Sequence, residues 1–184
     1  MIVNNFDIFP TKLIQFDFMK EEISPLIDEV ISKKKLIKSY SQIYSSLGGE
    51  GVYHSDYKNP VKLPEYEKLM IMVGNYFVNQ NYFFKVNEYW TAFYGPKGRH
   101  VAHRHVRSLE HRSTNNYSSI FYLTEEGSTR FLSPNPTSLV EVFTSFSKVG
   151  RFMIFPSSLF HDTVPPKSEE RIIISSNLEI YKNV

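Results

Sequence analysis

Four residues have the types and spacing to do chemistry together: His103 and His105 in HVAHRHV, His161 in FPSSLFHDTVPP, and Arg171 in ERIIISSNL. Side chains two apart on an extended segment point to the same side, so His103 and His105 can close on one metal ion while a later strand delivers His161. A set of imidazoles with open positions suits a mononuclear iron centre. Arg171 follows His161 by ten positions, on what reads as the next strand. A fixed cation beside a metal suits an organic acid that chelates the metal at one end and is gripped by a guanidinium at the other. The reading predicts 2-oxoglutarate as that acid.

Each assignment has a competitor. A site of two histidines and a carboxylate would carry Asp or Glu where His105 stands, and an imidazole there leaves the centre one unit more positive. The alternative is that His105 packs nearby while Glu110 or Asp162 completes the site. Asp162 adjoins His161 and would face the other side of a strand. His100 lies an odd number of residues from His103 and is expected to face away from it, exposed or behind the site. His54 and His111 fall in a Gly-rich and a polar loop, within reach of a substrate rather than of the metal. Arg171 could pair at the surface with Glu169 or Glu170, but the apolar run 172–174 after it places it at the edge of a buried strand.

The elements that must position these groups follow from pattern. Residues 2–18 read as one or two strands broken at Pro10. Ser24 offers an N-cap and Pro25 a first helical position, with Leu26, Ile27, Val30 and Ile31 as the apolar face of a helix ending near Lys35. The stretch SSLGGEGVYHSDYKNP reads as a long loop near the site. Pro64 opens a second helix with a core stripe of Leu69, Met72, Val73, Tyr76 and Phe77. From Val86 onward short strands take over: VNEYWTAFY, HVAHRHV, YSSIFYL, STRFLS, LVEVFTSF, GRFMIFP and RIIISSNLEI. Helices first and strands after predict an antiparallel β architecture braced by helices on one side.

Composition bounds the rest. A chain of 184 residues fits a single domain, 1–184, and no repeat or low-complexity linker divides it. Cysteine is absent, which excludes thiolate metal sites and thiol nucleophiles. A net charge of +2 with dispersed charges points to no nucleic-acid or membrane partner; Lys33, Lys34, Lys35 and Lys38 read as a solvated last helical turn. The N-terminus lacks a secretion-signal pattern and no apolar run reaches membrane-spanning length, so a soluble cytoplasmic protein is expected. Oligomeric state is not legible. Nucleophile elbows, phosphate-binding Gly loops and dinucleotide fingerprints are absent from the sequence.

Taken in order, Trp90, Tyr94-Gly-Pro-Lys-Gly leading into HVAHRH, YSSIFYL, GRFMIFPSSLFHDTVP and ERIIISSN resemble the iron(II)/2-oxoglutarate-dependent oxygenases of bacteria and their phages over about the last hundred residues. The resemblance implies a double-stranded β-helix, the jelly-roll of cupin-like oxygenases, with helices outside the major sheet. It matches His103, His105 and His161 to the metal ligands and Arg171 to the arginine that grips the distal carboxylate. The chain departs from the pattern in a longer segment between His105 and Tyr117, in the missing proline after the second histidine, and in Ile173 where a serine is common. The implied activity is an Fe(II)- and 2-oxoglutarate-dependent dioxygenase, a hydroxylase using O2 on an unidentified substrate, with Tyr94, Ser119 and Asn177 as further cosubstrate contacts. The rivals are a three-histidine cupin metalloenzyme working without 2-oxoglutarate and a metal-free jelly-roll binding module. Trp90, Tyr53 and Tyr117 could line a pocket, although core packing is the expected role of Trp90.

Overall fold

The computed structural model describes residues 2–8, 11–39, 42–43, 51–56, 59–105, 117–133 and 140–183. Its strands are β1 (Ile2–Ile8), β2 (Thr11–Asp17), β3 (Gln42–Ile43), β4 (Val52–His54), β5 (Tyr82–Tyr94), β6 (Tyr117–Tyr122), β7 (Ser128–Leu132), β8 (Glu141–Phe146), β9 (Arg151–Pro156), β10 (His161–Val164) and β11 (Arg171–Lys182). The helices are α1 (Lys20–Ser39) and α2 (Pro64–Asn79). Two strands do occupy residues 2–18, while Pro10 itself lies outside the described residues. Eight strands form an antiparallel sheet in the order β1-β2-β9-β6-β11-β5-β4-β3, and β10-β7-β8 form a second, smaller one. Arg171 is thus on the next strand after His161 but in the opposite sheet. The two sheets face each other across a chamber, and the whole is the jelly-roll that the strand-rich half predicts.

The period-two alternation of the major sheet divides the core in two. Phe16, Phe93, Phe121, Phe152, Ile154, Ile172, Ile174 and Leu178 point outward and are covered by Leu26 and Val30 of α1 and Tyr66, Leu69, Val73 and Phe77 of α2. Leu13, Ala92, Tyr94, Ile120, Tyr122, Met153, Phe155 and Ile173 point inward and meet Phe131 of the small sheet. Burying both faces explains why these strands read as nearly continuous apolar runs.

Helix α2 begins at Pro64 as its sequence predicts, but its stripe is turned slightly: Tyr66 and Met70 are buried and Met72 is exposed. Helix α1 differs more. It starts at Lys20, because Glu22 reaches back to accept from the Met19 N–H at 2.7 Å and so caps the first turn. Pro25 therefore lies inside the helix, and the Ser24 hydroxyl donates to the Glu21 carbonyl (3.4 Å) that proline cannot reach. Lys33 pairs with Glu29, while Lys34 and Lys38 close on Glu170, so the basic turn is a clamp rather than a solvated end.

Gly127 precedes β7 with φ +75°, and a Cβ there would lie 2.7 Å from the Val164 carbonyl and 2.9 Å from Cδ of Arg171. Only glycine tolerates both the left-handed backbone and the arginine stem passing over it. G127A is expected to cost about 2–4 kcal/mol, combining left-handed strain with overpacking, as read from the shift of a urea unfolding midpoint.

Candidate metal centre and its anion pocket

His103 lies on an isolated bridge to His161, with both backbone hydrogen bonds at 3.0 Å. Residues 100–105 are otherwise irregular rather than a strand. They are held along β10 by the Thr163 N–H donating to the His100 carbonyl and by the His105 N–H donating to the Ser157 carbonyl. The backbone stays extended enough for the same-side expectation to hold: the His103 and His105 rings stack 5.3 Å apart, and both face His161, at 4.4 and 5.1 Å between centroids. One ligand atom from each of the three lies within 4.8 Å of the others.

Hydrogen bonds decide which nitrogens these are. Nδ1 of His103 donates to the Val101 carbonyl (2.8 Å) and Nδ1 of His161 to the Leu159 carbonyl (3.0 Å). A carbonyl only accepts, so both rings carry their proton on Nδ1 and leave the Nε2 lone pair to the chamber. His105 behaves alike, its Nδ1 lying 2.8 Å from Oδ1 of Asn177 and 3.0 Å from the Ser118 hydroxyl. Burial keeps the rings neutral: it lowers His103, brings His105 down to about 4, and pushes His161 well below the ordinary histidine value, the last helped by the neighbouring histidines. Three neutral imidazoles with converging Nε2 lone pairs fit a first-row divalent ion such as Fe(II) and are a poor cage for Mg²⁺ or Ca²⁺, which prefer oxygen.

Asp162 points away, as its parity predicts, and forms an ion pair with Arg130 on the outer face of the small sheet. Glu110 and His111 lie outside the described residues. His100 does not turn away: its ring packs edge-on to His103 at 5.7 Å and its Nδ1 lies 3.2 Å from the Tyr94 hydroxyl. The parity argument fails for it because residues 99–102 are not a strand. His54 sits on β4, not in a loop, and is buried with its ring 5.4 Å from Trp90. Trp90 in turn lies 5.7 Å from His105 on the chamber side, rather than in the packing core.

Arg171 is 1% exposed. Its Nε donates to the Ser147 hydroxyl (3.2 Å) and its Nη2 to the Thr129 hydroxyl (2.8 Å), while Tyr94 and Tyr122 present their rings 5.0 and 5.4 Å from the guanidinium carbon. Nη1 is buried with no partner among the described residues. Glu170, the nearest carboxylate in sequence, is held outside by Lys34 and Lys38; burial alone would raise its carboxyl, but the two ammoniums bring it below its ordinary value. Among the described residues no carboxylate forms an ion pair with Arg171. Thr129 accepts from both Arg171 and the Tyr122 hydroxyl (2.9 Å), which leaves its own O–H to donate. The result is a buried cationic pocket with donors still to satisfy.

Tyr94 pairs with Arg171 across the β5–β11 ladder and borders this pocket, its phenol raised by burial with the guanidinium acting against that rise. Ser119 does not: it lies on the helix-facing side next to Ser176 and Tyr66, and its neighbour Ser118 is the one that faces the histidines. Asn177 has both ends of its amide committed, Oδ1 to His105 and Ser118 and Nδ2 to Glu88, and so stands behind a histidine rather than in the anion pocket. Glu88, Ser118, Thr129 and Ser147 were missed in the sequence. Parity could have found Glu88, since it shares a strand face with Trp90 and Tyr94; the other three depended on knowing which strands meet.

No protein-family model and no curated protein matches this sequence. Solved structures do match. A prolyl-4-hydroxylase from Pseudomonas putida superposes with a TM-score of 0.66 at 14% identity, over 94% of this chain and 93% of that one. The fold is that of the 2-oxoglutarate/Fe(II) oxygenases. A viral collagen prolyl hydroxylase from Paramecium bursaria Chlorella virus-1, solved with 2-oxoglutarate, gives 0.61 at 16% identity over 90% and 94% of the two chains. The α-ketoglutarate-dependent epimerase SnoN of nogalamycin biosynthesis gives 0.64 at 10% identity over 92% and 77%. Hydroxylation and epimerisation thus share this framework, so the framework does not choose the outcome.

Five histidines, His54 and His161 buried and His100, His103 and His105 half-buried, are held below their ordinary value and give the apoprotein a definite acid response. His54 falls to about 4 and His100 to about 3, chiefly through burial, alongside the three converging histidines. Between those values and 6.5 the unfolded chain binds more protons than the folded one, so stability falls as pH falls through that window and is flat above it. Urea midpoints at pH values of about 7.5, 6 and 4.5 should decline in that order. Equal midpoints would contradict the neutral cluster.

Proposed function

We propose that this chain is an Fe(II)- and 2-oxoglutarate-dependent dioxygenase of the hydroxylating type. The observation that carries the reading is Arg171, a fully buried guanidinium whose Nη1 has no partner among the described residues, set in the same chamber as three neutral histidines. A cupin acting through its metal alone has no use for such a cation, and burying one without a counter-charge is costly. An acid with a carboxylate at its far end resolves both facts.

His103, His105 and His161 would hold the iron, and the 2-oxo acid end of the cosubstrate would chelate it. The distal carboxylate would accept from Nη1 of Arg171 and from the Thr129 hydroxyl, with Tyr94 and Tyr122 walling the pocket. These donors substitute for the hydroxyl that Ile173 lacks. When bound, the iron supplies dioxygen activation coupled to oxidative decarboxylation: one oxygen atom enters succinate as carbon dioxide leaves, and the other hydroxylates a C–H bond. The protein contributes alignment and a dry chamber lined by Ile120, Met153 and Phe155. Trp90 and His54 form the wall next to His105 and are the residues set to meet a substrate.

Metal binding and cosubstrate binding can be tested separately. H103A and H161A should each abolish stoichiometric Fe(II) binding under anaerobic titration while the circular dichroism spectrum stays that of the parent; full-strength binding in both would refute the metal assignment. R171M should leave metal affinity unchanged and lower 2-oxoglutarate affinity by roughly 2–5 kcal/mol, about 30-fold to several thousand-fold. The same substitution removes an uncompensated buried charge, so apoprotein stability should be unchanged or raised. Unaltered 2-oxoglutarate affinity in R171M, by calorimetry, would favour the cosubstrate-independent metalloenzyme.

A further inference from the structure

The position that holds a carboxylate in a site of two histidines and one carboxylate is His105 here, which leaves the metal one negative charge short. A negative charge stands two residues behind His105, on Glu88, with Asn177 between them. Nδ1–H of His105 donates to Oδ1 of Asn177 at 2.8 Å, and Nδ2 of the same amide donates to the carboxylate of Glu88. Glu88 and Asn177 are directly paired on β5 and β11, where the ladder bulges between Asn177 and Leu178. Ser118 completes the set: its hydroxyl donates to Oδ1 of Asn177 at 3.2 Å and lies 2.9 Å from the Ser157 hydroxyl.

We propose that Asn177 is a positioning residue that transmits the charge of Glu88 to His105, fixing its Nε2 lone pair on the metal and raising its basicity. The amide can do this in one orientation only. With Glu88 accepting from Nδ2, Oδ1 must face His105, and an acceptor there forces the proton onto Nδ1. Without Glu88 the amide could turn over and present its NH2 group, which would select the other tautomer and point the ring's proton at the metal. Outer partners of this kind orient a ligating imidazole and increase its donor strength. His103 and His161 lean on backbone carbonyls, which cannot turn over; His105 alone depends on side chains, and those side chains end in a carboxylate.

The inference rests on the three histidines being the metal ligands, and its test keeps the two apart by using Co(II) affinity and its visible absorption rather than turnover. The parent should bind one Co(II). N177A should weaken it roughly ten- to a hundredfold, the range typical of such outer partners. E88Q, which keeps the size of the side chain, should act in the same direction and add nothing once Asn177 is replaced by alanine. In an H105D background the ligand has no N–H to present, so N177A should change affinity by less than about threefold. N177D keeps an acceptor against His105 but sets a second carboxylate against Glu88, so it is combined with E88Q, whose amide restores the donor, and that double variant should hold affinity within about threefold of the parent. If N177A fails to fold, E88Q and that double variant decide between them. Parental affinity and spectrum in E88Q, or a loss from N177A that is as large in the H105D background as in the parent, would overturn the relay while leaving the metal site standing. A parent that takes up no Co(II) would overturn both.

Discussion

Strand β11 is hydrogen-bonded along both edges, to β5 over twelve residue pairs and to β6 over six, and that double pairing fixes which of its side chains enter the chamber. Arg171, Ile173, Ser175 and Asn177 point in; Ile172 and Ile174 join the core under the helices. A slip of one residue would exchange the two sets, placing the guanidinium among the helix-facing apolar side chains and an isoleucine in the anion pocket. The apolar cores on the two faces oppose that slip from both sides, so Arg171 at the start of the strand and Asn177 at its middle share a single register.

The chamber holds the Arg171 guanidinium beside three neutral imidazoles and keeps the neighbouring carboxylates out. Glu170 would neutralise Arg171 if it turned inward, but Lys34 and Lys38 of α1 hold it outside. Asp162 would complete a mixed histidine and carboxylate site if it faced its neighbour, but Arg130 holds it on the far side of the small sheet. Each of these carboxylates, adjacent in sequence to a site residue, is tied off by a cation of its own. What remains is a cavity in which a divalent ion and a dicarboxylate would complete each other's charges.

Hydroxylases and an epimerase both stand among the similar structures. His161 and Arg171 lie on β10 and β11 and His103 and His105 on irregular chain beside β10, while Trp90 and His54 belong to β5 and the short strand β4 of the same large sheet as Arg171.

His103, His105, His161 and Arg171 were legible because their signals are local: a two-residue spacing on extended chain, and an arginine at the head of an apolar run. Pro64 at the head of α2, the paired strands β1 and β2 and the strand runs of the second half were legible for the same reason. The outward face of Asp162 followed from its place beside His161. Other features were not local. The inward turn of His100 depends on a bridge to β10, the helix-facing side of Ser119 on which neighbour β6 meets, and the true start of α1 on a capping contact from Glu22 that outweighs a proline signal. Trp90 reads as core because burial and chamber lining look alike in an apolar strand. By itself the sequence determined that His103 and His105 share a side of extended chain and that Arg171 heads a buried strand. Only the tertiary structure decided that Arg171 meets no carboxylate among the described residues, which nitrogen each histidine offers and what stands behind His105, because those depend on partners distant in the chain that meet only when the sheets close.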